Sequence, residues 1–346
     1  MELHQSLFGQ NTDHHRRGRI SRNLLFSFVV CVALVGILPA ASSSYAAATK
    51  SFPVTIEHAL GTTVVPVKPK RIVTLGWGNE DVAVALGIVP VGMPYRRFFA
   101  SGIFPWVEEK LGGHRPELLS SEMVDLESIA LLRPDLILAL RSGITSKEYR
   151  HLSRLAPTIA YPDAPWKTPW RRQTEIIGIA LGEQEAARKL INQTDEVVQG
   201  LAAKYGNLRG RTFTFSMFSL SGGGIGVYFP TEPRVDILTQ LGLVPSAGVK
   251  ALADAHPSRA GSGVSWELAN SIEADVLAMW VNPGGTEAVM EQPLLQNMDV
   301  VRRGSLVLFD DPVSMWASSI PSALSIPYAL PQIAARLSDA VKNTGR

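Results

Sequence analysis

RIVTLGWGNEDVAVALGIVPVGMP, residues 71–94, decides the fold, because its framework is written a second time further along the chain. The first copy runs RIVTL (Arg71–Leu75), EDVAVALGIVP (Glu80–Pro90) and DLESIALLRPDLILAL (Asp125–Leu140). The second runs RTFTF (Arg211–Phe215), RVDILTQLGLVP (Arg234–Pro245) and VSWELANSIEADVLAMW (Val264–Trp280). Asp81 matches Asp236, and Leu86-Gly87-x-Val89-Pro90 matches Leu241-Gly242-x-Val244-Pro245. Glu127 stands eight residues before Asp135, and Glu267 eight before Asp275. A short apolar strand, a helix stopped by glycine and a second buried-type strand form one α/β unit. Two such units imply two similar lobes, and a cleft between lobes is a natural ligand site.

Outward from the first copy, the pattern keeps alternating. Thr55–His58 and Thr62–Val65, split by Gly61, read as a hairpin. Ile72–Leu75 and Val89–Met93 read as strands around a helix over Glu80–Leu86. Leu126–Leu132 is a helix stopped by Pro134, and Leu136–Leu140 and Thr158–Tyr161 are strands. Such alternation predicts a mostly parallel sheet with helices on both faces. Thr168-Pro169 offers a cap residue and a proline for a helix running to Leu181. A second helix, Glu183–Tyr205, keeps Ala187, Leu190, Ile191, Thr194, Val197, Val198 and Leu201 at helical spacing. At about 1.5 Å per residue it spans roughly 34 Å, enough to pass from one lobe to the other; one long surface helix of a single domain is the alternative. Ser325-Ile326-Pro327 opens a last helix ending near Val341. The expected layout is a signal segment over 1–46, an N-terminal lobe over 50–181, a linker helix over 183–205 and a C-terminal lobe over 210–343.

The N-terminus reads as an export signal. Arg16, Arg17, Arg19 and Arg22 form a basic region ahead of the apolar run Leu24–Leu38, which is short for a membrane span. Ser44-Tyr45-Ala46 puts small residues at the positions that set cleavage, after Ala46 or at Ala48. A retained anchor is the alternative. Arg16-Arg17 raises a twin-arginine route, but Gly18-Arg19 follow where apolar residues belong. Cys31, the single cysteine, lies inside the apolar run without the small residue before it that a lipoprotein site needs. The mature chain is then free of thiol and disulfide chemistry. Of 33 Lys and Arg, four precede residue 47, and of 31 Asp and Glu, two do, leaving 29 of each. That balance argues against nucleic acid or an acidic membrane surface as main partner. Soluble periplasm is the expected location.

The residues that can carry function lie in the loops after the strands. Trp77 sits between Gly76 and Gly78; Tyr95, Arg96 and Arg97 follow Met93; Arg141 follows Leu140; Trp166 follows Tyr161. In the second half, Phe218, Trp280 and Trp316 hold comparable places. Arginines grip oxygen anions and stack on rings, and indoles and phenols add flat apolar area. His58, His114, His151 and His256 are not spaced as metal ligands, so no direct protein–metal site and no cofactor is expected. The run Gly222–Gly226 lacks the lysine of a phosphate loop and reads as a flexible cleft-edge loop. No GxSxG elbow is present.

The order and spacing of RIVTLGWGNEDVAVALGIVPVGMP, DLESIALLRPDLILA and the C-terminal DDP…SIPYAL make residues 52–340 resemble the iron–siderophore-binding proteins of ABC importers. The resemblance implies two α/β lobes joined by one rigid helix, a ferric siderophore as ligand, delivery to a permease and its ATPase, a monomer, and no catalysis. It also implies that Glu127 and Glu267, one per lobe, dock on permease arginines; stabilisation of a helix start by its dipole predicts the same residue type. A haem or cobalamin carrier of the same family is the near alternative. An exported α/β enzyme using acids such as Asp310 and Asp311 is the distant one.

Overall fold

The computed structural model describes residues 52–218 and 224–345. The expected signal segment, its cleavage point and Cys31 lie outside them. Strands β1 (Val54–His58) and β2 (Gly61–Val65) form the antiparallel hairpin expected at the front of the chain. Five strands follow in the first half: β3 (Ile72–Thr74), β4 (Gly92–Pro94), β5 (Glu117–Leu119), β6 (Leu136–Ala139) and β7 (Thr158–Ala160). They form one sheet in the order β5-β4-β3-β6-β7, parallel throughout. β3, β6 and β7 are buried along their whole length, as sheets covered on both faces require.

The second half supplies β8 (Thr212–Phe218), β9 (Gly224–Tyr228), β10 (Val244–Pro245), β11 (Gly261–Ser265), β12 (Val276–Trp280) and β13 (Leu306–Phe309). Their order is β11-β9-β8-β12-β13, with β10 beside the start of β8. β8, β10, β12 and β13 are parallel; β9 and β11 are antiparallel. The sequence reads Gly222–Gly226 as a loop; Gly222 and Gly223 lie outside the described residues, and the other three belong to a strand. Gly224–Gly226 open β9, where Gly, Ile, Gly, Val and Tyr alternate between open and buried positions.

The repeat has a structural cause. Asp135 accepts hydrogen bonds from the amides of Lys70 (2.8 Å) and Arg71 (2.8 Å) at the entry to β3. Asp275 accepts from the amide and hydroxyl of Thr212 (2.7 and 2.9 Å) at the entry to β8. In each half the aspartate ahead of one strand catches free backbone donors of its parallel neighbour and fixes their register. The Asp81–Asp236 match has no such shared role, since Asp81 is buried and Asp236 exposed.

Between the sheets in sequence runs the helix Gln184–Lys204, one residue shorter at each end than the apolar spacing indicates. The helix before it spans Trp170–Leu181. Pro169, not Thr168, takes its cap position, and the Thr168 hydroxyl donates to the carbonyl of Leu140 (2.5 Å) instead. The last helix covers Ser325–Val341. One apolar core contains Met93, Phe104 and Trp106 from the first half, Ile191 and Val198 from the long helix, and Phe215, Phe309 and Leu330 from the second. The halves therefore share a core. Among the described residues no helix is long and apolar enough to cross a membrane.

Candidate functional site

The site is built where the C-terminal ends of β3 and β6 meet the second half. Gly76 and Gly78 both have positive φ (79° and 69°), a conformation that costs glycine little. They turn the chain sharply around Trp77, leaving its indole half-buried. The Trp77 ring lies 4.7 Å from that of Trp166 and 6.4 Å from that of Trp316, and Trp316 lies 6.2 Å from Phe98. Trp166 has φ of 65°, the left-handed region that a bulky side chain rarely enters. A Cβ on Gly143 would stand 2.7 Å from the Trp166 indole, so only glycine leaves the ring its place. Strain of this kind is tolerated where surrounding structure imposes it, commonly at sites of function.

The arginines do not stand as the sequence reading expects. Arg141 is fully buried; it donates to the carbonyls of Ser319 (3.2 Å) and Pro321 (3.5 Å) and lies 5.8 Å from the Trp77 ring centre. It ties β6 to the segment ahead of the last helix rather than reaching into solvent. Burial, and then the neighbouring charge of Arg234, lower its pKa to about 10. Arg96 is buried too. Its guanidinium pairs with Glu80, donates to the Gly76 carbonyl (2.8 Å) and stacks on Phe104 at 4.6 Å. It supports the Trp77 loop from beneath. Of the three, Arg97 alone reaches solvent: its side chain is 67% exposed, lies 4.7 Å over the Phe98 ring, and meets Glu122 at 3.9 Å.

The charge that does face the aromatic cluster is Arg234, which spacing alone did not single out. It opens the helix Pro233–Gln240, with its guanidinium 4.3 Å over the Tyr228 ring and 5.8 Å over Trp77. Glu232 holds it at 2.9 Å. Burial, ahead of the nearby charges, raises the Tyr228 phenol above its ordinary pKa. Arg234 thus joins the two halves across Trp77, as Arg141 does. A third tie is Asp81, whose Oδ1 accepts from the Ser322 hydroxyl and from Trp106 Nε1 (2.8 Å). Burial first, and Glu80 second, raise its pKa to about 7.

Other expected residues fall elsewhere. Tyr95 is exposed and covers Gly102, where a Cβ would stand 2.5 Å from the ring. Trp280 is half-buried, donating to the Met315 carbonyl (3.1 Å). Phe218 is not with the cluster at all. Strand alternation turns it to the opposite sheet face, against Trp266 at 6.0 Å. Asp310 accepts from Thr286, and Asp311 caps the helix Pro312–Ser319, so both acids have structural work. Glu127 is exposed at the start of the helix Leu126–Leu131, and Glu267 is exposed on a 3-10 turn, Trp266–Ile272. No group of three metal-ligating side chains occurs among the described residues. The arrangement offers aromatic faces, a held guanidinium and no nucleophile–base pair. It suits binding of an anionic molecule with an apolar body.

Known proteins resemble this chain over most of its length. Over 312 residues the chain is 27% identical to a probable siderophore-binding lipoprotein, YfiY, of Bacillus subtilis, covering 87% of this chain and 94% of that protein. It is 27% identical over 257 residues to an achromobactin-binding periplasmic protein of Dickeya dadantii, covering 69% and 77%. Among solved structures, PiaA of Streptococcus pneumoniae in complex with ferrichrome matches with a TM-score of 0.76 and 33% identity, over 84% of this chain and 99% of that one. A family model described as periplasmic binding protein matches residues 72–313. The chain belongs to the periplasmic binding protein family.

Proposed function

We propose that this protein captures a ferric siderophore in the cleft between two lobes and delivers it to an ABC-type permease and its ATPase. It is a binding component, not an enzyme. The observation that carries the reading is the cluster of Trp77, Trp166 and Trp316 beside Arg234 and Tyr228, where both halves of the chain meet. Aromatic faces pack the organic body of a chelate, and the guanidinium meets its negative oxygens. The metal arrives already chelated by the siderophore. Achromobactin and ferrichrome, named for two similar proteins, support the same class of ligand.

The finer parts of the reading are these. Residues 50–181 and 210–343 act as lobes on the helix 183–205, and the protein works as a monomer. Cleavage after Ala46 releases it, without a lipid anchor, into the periplasm. Trp77, Trp166, Trp316 and Arg97 line the cleft with Arg234; Tyr95 and Trp280 border it; Arg96 and Arg141 hold its floor. Glu127 and Glu267 meet the permease, one from each lobe.

Quenching of tryptophan emission tests the reading. Ferric catecholate, ferric hydroxamate or ferric citrate should quench saturably, with an affinity that falls as salt rises, while free ferric ion should not. Quenching by haem or cobalamin alone would move the protein to another branch of carriers, and quenching by none of these ligands would overturn the carrier reading.

A further inference from the structure

One sheet face in the second half is only partly covered. β8, β12 and β13 carry Phe215, Ala278 and Phe309 on that face, under the shared core. β9 and β11 continue the same face, but their outward positions are Gly224, Gly226 and Tyr228, paired with Ser265, Gly263 and Gly261. Four of these six residues have no side chain. The opposite faces of the two strands carry Ile225, Val227 and Val264, packed into the second core. The result is a groove of about 680 Å³ whose floor is bare backbone and whose walls include Met217 and Tyr228.

Two of the glycines are needed by the close approach of the two strands. A Cβ on Gly224 or Gly261 would lie 2.0 or 2.4 Å from a carbonyl oxygen of the facing strand. The other two are not. At Gly263 no described residue lies within 4 Å, and at Gly226 the nearest described atoms, of Met217, are 3.5–3.7 Å away. Side chains would fit there and are absent, and glycine weakens a strand interior. Two facing strands that each give up a side chain they have room for keep a surface open.

The groove begins at the ligand cleft. Tyr228 is both its wall and the ring under Arg234, and its hydroxyl reaches Met217 Sδ at 3.5 Å. Met217 is the register partner of Trp280. An occupant of the groove would therefore be continuous with one held at Trp77 and Arg234. The lining carries no charged side chain, unlike the cleft floor, so the two surfaces suit different parts of one molecule. The volume lies in the range of pockets that hold drug-sized ligands.

We propose that the groove between Met217, Tyr228 and Gly263 is a specificity subsite for an apolar arm of the siderophore, an acyl chain or aryl group outside the iron-binding core. This rests on the carrier reading above and adds which chelates are preferred. A bare peptide floor lets such an arm lie at van der Waals distance, and each methylene it buries is worth about a fourfold gain in affinity.

The test uses matched probes: a ferric trihydroxamate with a free amine end and the same chelate bearing an octanoyl chain on that amine, with a ferric tris-catecholate pair made the same way. In the mature wild-type protein the acylated member should bind at least tenfold more tightly. Gly263→Trp should fill the groove, bring the two members within about twofold of each other and leave the unacylated chelate bound as before. Gly226→Val, from the facing strand, should act in the same direction, and thermal melting of both variants checks that they fold. Equal affinity of the two members in the wild type overturns the subsite alone. A fall in affinity for both members in Gly263→Trp, with melting unchanged, also overturns it, since the groove would then belong to the core chelate site. Failure of the wild type to bind any of the four chelates sinks the carrier reading and the subsite with it.

Discussion

Asp81→Asn should flatten the dependence of stability on pH between pH 5 and 8. Asp81 is fully buried, and its pKa rises from the ordinary 3.8 to about 7, chiefly through burial and then through Glu80 beside it. A rise of that size corresponds to about 4 kcal/mol between the protonated and ionised forms. The sign follows from which state holds the proton more tightly. The folded state does, so its advantage is complete below the unfolded pKa near 3.8 and is lost as pH climbs through about 7. Asparagine is the neutral form made permanent. Its Oδ1 can still accept from Ser322 and Trp106, and the second oxygen of Asp81 has no partner to lose. At pH 4 the two proteins should unfold at similar denaturant concentrations. At pH 8 the variant should be the more stable, by up to about 4 kcal/mol. Urea titrations at intervals of half a pH unit read this directly, because every other carboxylate is common to both proteins. Parallel curves from pH 5 to 8 would refute the argument and return Asp81 to an ordinary, solvated carboxyl.

Four further outcomes are expected. Arg234→Ala should weaken binding of an anionic ferric chelate about ten- to a hundredfold, the worth of a charge-assisted contact, and reduce its salt dependence in fluorescence titration. Arg96→Ala should instead act on folding: it leaves Glu80 buried without its counter-charge, at about 3–5 kcal/mol by denaturant melts, whereas Arg97→Ala should leave stability unchanged. Gly143→Ala should push the Trp166 indole aside, altering near-ultraviolet dichroism and costing about 1–3 kcal/mol; an unchanged aromatic spectrum would count against the Trp77–Trp166 contact. Glu127→Ala with Glu267→Ala should keep siderophore affinity and abolish growth on ferric siderophore as sole iron source, with partial growth for each single variant; normal growth of the double variant at normal protein level would rule out docking.

The parts of this fold that can be read from sequence are those where one local cause dominates. Leu136–Leu140 is apolar at every position and bounded by Pro134-Asp135 and Arg141, so a buried parallel strand is the natural reading, and β6 is that strand. Asp135 and Asp275 recur because the same strand entry must be pinned twice. The last helix ends where its apolar spacing ends, at Val341. What sequence hides is decided across the chain. Glu80 and Arg96 look like surface charges until folding buries each against the other. Arg141 looks like a cleft arginine, but its partners are carbonyls 178 and 180 residues away. Arg234 was in view as part of the repeat, two residues before Asp236; that this helix start faces Trp77 depends on how the halves meet. β9 escaped because glycine discourages strand assignment, although Gly-Ile-Gly-Val-Tyr does alternate.

The shared core fixes an order of events. Asp81 and Arg141 belong to the first half, yet their partners Ser319, Pro321 and Ser322 follow 178 to 241 residues later, and the helix that closes the core comes after them. A nascent chain therefore cannot bury its first half without exposing an unpartnered carboxyl and guanidinium to a dry interior, which disfavours early closure. For a protein expected to cross a membrane as an open thread, lateness is useful. Circular permutation that moves residues 312–341 to the front should shorten that delay, with faster folding in the cytosol and poorer export. Export equal to that of the natural order would show that the delay has no part in secretion.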